Sequence, residues 1–95
     1  MPESALQKDV KNFVYQVRGI PIRVNSGTIL IEGKDKMRAF KGAEPGTSDL
    51  ICLIQGKFFS IETKAHPKEA TDEQIRFLQE VAEKGGIGLL AFDLD

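Results

Sequence analysis

A chain of 95 residues with 41% hydrophobic side chains can build one core, so a single domain over 1–95 is expected. No stretch approaches the ~20 apolar residues of a membrane span, and no run has the basic-then-apolar order of a signal peptide. One cysteine, Cys52, excludes an internal disulfide, no Cys/His cluster suggests zinc, and a net charge of −1 gives no global case for a polyanionic partner.

The charge is unevenly spread. Residues 1–41 hold eight Lys/Arg against four Asp/Glu, while residues 42–95 hold five against ten. Lys34, Lys36, Arg38 and Lys41 crowd into one short segment. A basic segment beside an acidic site suits an enzyme acting on a polyanion, though it also suits a solubilising loop.

In chain order, residues 4–17 read as an amphipathic helix. Ser4-Ala5-Leu6-Gln7 fits a capping box, and Leu6, Val10, Phe13, Val14 and Val17 form one apolar stripe. Gly19 is the expected stop. Glu3, just before the cap, either complements the helix dipole or serves a site. Residues 20–25 form a short strand, with Pro21 favouring an edge position. A turn at Ser26-Gly27 leads to a second short strand over 28–32. Residues 33–47, punctuated by Gly33, Gly42, Pro45 and Gly46, read as a loop: a basic arm that orders on substrate, or plain disorder.

Residues 48–64 carry two strands joined by a tight turn at Gln55-Gly56-Lys57. A loop of Gly56-Lys57 sets Asp49 opposite Lys64, and a loop of Gln55-Gly56 sets it opposite Glu62. Either register predicts Asp49, Glu62 and Lys64 on one face, and Leu50, Cys52, Ile54, Phe59, Ile61 and Thr63 on the packing face. Two nearby carboxylates repel, so a cation is expected between them. Lys64 alone could supply it, or a hard divalent metal with oxygen ligands.

His66 lies in the connector that follows and could approach this site, or stay exposed. Thr71-Asp72-Glu73-Gln74 fits another capping box and opens a helix to residue 84, with Ile75, Leu78, Val81 and Ala82 as its stripe and Gly85-Gly86 as its end. Gln74 either closes that box or points at the catalytic face. Residues 87–93 are nearly all apolar and predict a buried strand, parallel to the second hairpin strand through the helical crossover.

Asp49, Glu62-Thr63-Lys64 and Gln74 in this order resemble the PD-(D/E)XK nuclease superfamily, and most of all its VRR-NUC domains. The likeness extends to Glu3 and Gln7, to Arg23-Val24-Asn25-Ser26-Gly27, to the Gly42-Ala43-Glu44-Pro45-Gly46-Thr47-Ser48-Asp49 run, and to Gly85-Gly86. Ser48 stands where the superfamily has proline, as is usual for VRR-NUC. The resemblance implies a restriction-endonuclease-like α/β fold, a central mixed β-sheet flanked by α-helices, in a stand-alone phage-type member. It implies Mg²⁺, with Mn²⁺ able to substitute, held by Asp49, Glu62 and the Thr63 backbone carbonyl, with Glu3 assisting. Lys64 would orient the attacking water and Gln74 would contact water or the scissile phosphate. Arg23, Lys34, Lys36, Arg38, Lys41 and Ser48 are the expected DNA contacts. The implied activity is structure-specific DNA endonuclease, resolving Holliday (four-way) junctions as a homodimer in a phage or bacterial cytoplasm. The alternatives are a non-catalytic nucleic-acid-binding module of the same fold, or a nuclease preferring flaps or single strands.

Overall fold

The structure, a computed structural model, describes residues 2–25, 28–32, 37–41 and 43–93, with the backbone alone for 28–32 and 37–41. The hairpin at its centre joins β4 (Leu50–Ile54) to β5 (Lys57–Lys64). Leu50 pairs with Ile61 and Ile54 with Lys57, so the two-residue loop is Gln55-Gly56. Both loop residues have positive φ, 49° and 78°, as the favoured right-twisting hairpin turn requires. The second of the two predicted registers is therefore the one formed, and Asp49 lies one step beyond the ladder, opposite Glu62.

On one side β4 pairs antiparallel with β1 (Ile20–Arg23); on the other, β5 pairs parallel with β6 (Ile87–Phe92). The four-stranded mixed sheet has the order β1-β4-β5-β6. Pro21 sits on the outermost strand β1, where a missing N–H costs least. Thr28–Glu32 (β2) and Met37–Lys41 (β3) form a separate antiparallel hairpin. The expectation of a loop over 33–47 is thus corrected for 37–41. Glycine and proline punctuation hid a five-residue strand whose ladder is completed by β2, and pairing partners are invisible to a local reading.

Two helices cover the sheet. The first, α1 (Glu3–Gln16), sets Val14 against Leu50, Cys52 and Ile61, with Val10, Ile54, Phe59 and Ala91 around them. That is the packing face predicted from alternation, and Cys52 is buried there as a small apolar side chain. The second, α2 (Asp72–Glu83), buries Leu78 and reaches Glu62, whose side chain leaves β5 on the face opposite Ile61. The C-terminal half of β5 is consequently covered from both sides.

The ends of the two helices differ. Thr71 caps α2 with the full reciprocal box: its hydroxyl accepts from Gln74 N–H (3.2 Å), and its N–H donates to Gln74 Oε1 (2.9 Å). The box read at Ser4–Gln7 does not form. Helix α1 starts a residue earlier than expected, with Pro2 as N-cap and no capping side chain, while the Pro2 carbonyl takes the first N–H groups. Nor is Gly19 the left-handed residue that ends α1. Arg18 takes that conformation (φ 64°), and Gly19 is packed so that a Cβ would lie 2.6 Å from Ile54.

Candidate active site

The ladder between β4 and β5 stops at Leu50–Ile61, which leaves the Thr63 N–H without a strand partner. The chain bends at Asp49 and its carboxylate takes that place. Asp49 Oδ2 accepts from Thr63 N–H (2.9 Å) and from Thr63 Oγ1 (2.6 Å). Alternation along β5 assigns Thr63 to the packing face, yet its hydroxyl clamps an acid of the site. The bend explains this, since the Asp49 carboxylate lies at the open end of the sheet instead of standing on one face. In a strand a residue's N–H and C=O point to the same side, so the Thr63 carbonyl faces the Asp49 side as well.

Glu62 is only 1% exposed and both its oxygens are engaged. Oε2 accepts from Asp49 N–H at 3.3 Å; Oε1 accepts from Gln74 Nε2 at 2.9 Å and lies 3.7 Å from Lys64 Nζ. Burial, chiefly, and then the charge of Asp49 push the Glu62 carboxyl up to about 7; Lys64 and the Asp49 N–H pull the other way, and Glu3 adds a smaller upward push. Glu3 is in the first turn of α1, so the N-terminal end of that helix lies within electrostatic range of Glu62.

Gln74 closes the expected capping box, and its amide reaches a carboxylate where a contact to water or phosphate was expected. Its Oε1 closes the capping box, which aims its Nε2 at Glu62. The group it holds is therefore a carboxylate of the site; its amide is a positioning device built into a helix cap. The loop before Asp49 is anchored to the same helix. Gly46 has φ 91° and lies so close to Glu73 that an added Cβ would sit 3.0 Å from the Glu73 carbonyl oxygen. Only glycine accepts that conformation at that distance.

Ser48 does not face outward as a DNA contact would. It is 1% exposed, and its hydroxyl accepts from Ser60 Oγ at 2.6 Å beneath the site. Burial of both residues leaves the pair as a polar cross-brace of the hairpin. Ser60 escaped the sequence reading, although its i, i+2 spacing to Glu62 marks it as a neighbour on the same face. Among the described residues no buried side-chain nitrogen or oxygen lacks a partner. Arg23 is exposed at the end of β1, and Val24 N–H beside it bonds the Asp49 carbonyl (2.8 Å). Lys34 and Lys36 lie outside the described residues, as do the side chains of Arg38 and Lys41. His66 is exposed, and its N–H is held by Asp93 (3.2 Å).

The donor set is all oxygen: two carboxylates and a neighbouring carbonyl. It fits a hard divalent cation such as Mg²⁺. Among the described residues no group of three or more His, Cys, Asp and Glu side chains is placed to hold a metal, so such a cation would keep much of its own water. In comparisons with known proteins, no family model matches the chain and no curated protein matches it.

Proposed function

We propose that this protein is a divalent-metal-dependent, structure-selective DNA endonuclease of VRR-NUC type and restriction-endonuclease-like fold, resolving four-way junctions as a homodimer. One observation carries the reading: the Asp49–Glu62 pair meets at the open end of the sheet, with the Lys64 ammonium 3.7 Å from the same buried carboxylate. A structural ion pair alone would not benefit from a second acid that raises the Glu62 proton affinity.

Asp49, Glu62 and the Thr63 carbonyl would hold Mg²⁺ or Mn²⁺; when bound, the cation supplies Lewis acidity toward water and the scissile phosphate. The chain's own groups do the rest. Thr63 fixes one Asp49 oxygen through two hydrogen bonds. Gln74 fixes Glu62 from the start of α2. Lys64, held at 12% side-chain exposure, donates hydrogen bonds that orient the attacking water and offset charge on the phosphate oxygens. The apolar side chains of edge strand β6 offer a surface for the second protomer.

The test is cleavage of a labelled four-way junction beside duplex, flap and single-stranded DNA in Mg²⁺. Symmetric nicks in the junction are expected, reduced at least ~100-fold in Asp49→Ala and Lys64→Ala, the scale of losing one electrostatic stabiliser. Preferred cutting of flaps or single strands would transfer the assignment to that substrate. Binding without cutting would leave a non-catalytic module, and cutting unchanged by either substitution would place the chemistry elsewhere.

A further inference from the structure

Beside the acidic pair lies a second feature, of which the sequence reading foresaw Arg23 alone. A cleft of about 300 Å³ runs between α1 and the end of β1, lined by Ser4, Gln7, Lys8, Lys11, Arg23 and Leu50. The four helical residues fall at i, i+3, i+4 and i+7, so they form one polar, basic stripe of α1, on the side away from the buried Leu6 and ending a turn before the buried Val14. Arg23 faces them from the strand. Among the described residues none of these three cations has an ion-pair partner, whereas Lys64 and Lys84 do. Both ends of the cleft's lining join the candidate site. Leu50 follows Asp49 in the chain, and Ser4 follows Glu3, whose charge reaches Glu62.

We propose that this cleft is a backbone-binding subsite for one nucleic-acid strand, seating the phosphates next to the one at the acidic pair. This rests on the nuclease reading for the identity of the neighbouring site. From Ser4 to Lys11 the helix advances about 10 Å, enough for the lining to run past more than one phosphate of a strand. Lys8 and Lys11 stand one turn apart on α1, about 4.5 Å along its axis, and with Arg23 across the cleft they offer three cations to neighbouring phosphates, while Ser4 and Gln7 add hydrogen-bond donors that suit phosphate oxygens. With no base-reading element in the cleft, the contact is independent of sequence, as a structure-selective enzyme requires.

The experiment measures binding of fluorescein-labelled (dT)12 by anisotropy across a salt series, with Ca²⁺ replacing Mg²⁺. The wild-type protein is compared with Lys8→Ala/Lys11→Ala, with Arg23→Ala, and with Lys57→Ala/Lys84→Ala as a control remote from the cleft. Junction cleavage is followed in parallel. Alanine keeps the helix intact, so folding is retained. The cleft double variant should lose about tenfold or more in affinity, and its slope of log K against log salt should shrink by about 1.4. The control should keep both. An unchanged slope in the cleft variants, an equal loss in the control, or no binding by wild-type protein overturns the subsite. Junction cleavage by the same wild-type protein would leave the nuclease reading standing in each of those cases. Cleft-dependent binding without any cleavage would support the subsite and remove the nuclease reading.

Discussion

Glu62 is an acid in a place where burial and a second acid both oppose its charge. In the folded protein its carboxyl is pushed up to about 7, against an ordinary 4.5. The folded state therefore holds this proton more tightly than the unfolded chain does. Between those two values the unfolded chain releases the proton while the folded one keeps it, so metal-free stability falls as pH rises through the window. The difference corresponds to about 3 kcal/mol once pH exceeds 7. Urea denaturation without divalent ions should show lower stability at pH 8 than at pH 5, and Glu62→Gln should flatten that fall. Mn²⁺ should restore stability more at pH 8, where the cation no longer competes with the proton. A pH dependence unchanged in Glu62→Gln would refute this account of the buried acid. At this level the chemistry was legible: the spacing of Asp49, Glu62 and Lys64 announced a charged cluster. The attachment of the Asp49 carboxylate to Thr63 was not, because it depends on where the ladder with β5 stops.

Helix α2 shows local sequence rules succeeding, and α1 shows them misleading. Thr-Asp-Glu-Gln forms the box it spells, since Thr71 itself has the extended conformation of an N-cap (φ −72°, ψ 162°) and the helix starts there. Ser-Ala-Leu-Gln spells the same box, but Pro2 has the extended conformation of an N-cap (φ −63°, ψ 149°) and the helix begins at Glu3. That early start adds Glu3 to the helix and lets its charge bear on Glu62. The cap of α2 and the loop before β4 act together through Gly46. Gly46→Ala should cost about 1–3 kcal/mol in urea denaturation, because positive φ and close backbone contact combine. Gly56→Ala should cost less: its φ is also positive, but nothing lies within 4 Å of the added Cβ. Equal costs would show that contact with Glu73 does not constrain the loop.

For the molecule as a whole, β6 departs most from its sequence. A nearly unbroken apolar run predicts a strand covered on both faces, yet Leu89, Leu90 and Phe92 are 45%, 37% and 48% exposed. The strand is the last of its sheet, and an edge lacks the neighbours that cover a central strand. The proposed homodimer would account for that composition. Wild-type protein should then elute with light-scattering mass of a dimer of 10.5 kDa chains, and Leu90→Lys should shift it to monomer. A wild-type monomer at every concentration would remove the dimer from the proposal.

Alternation, cap residues and the turn glycine are short-range signals, and from them came the central hairpin, α2, the parallel closing strand and the identity of the acidic pair. Docking settled what those signals left open. It chose the hairpin register, bent Asp49 onto Thr63, buried Ser48 against Ser60, turned a capping glutamine toward Glu62 and set the basic stripe of α1 beside Arg23. Each of these joins residues far apart in the chain, and their energies depend on which surfaces meet, a quantity no window of neighbouring residues contains.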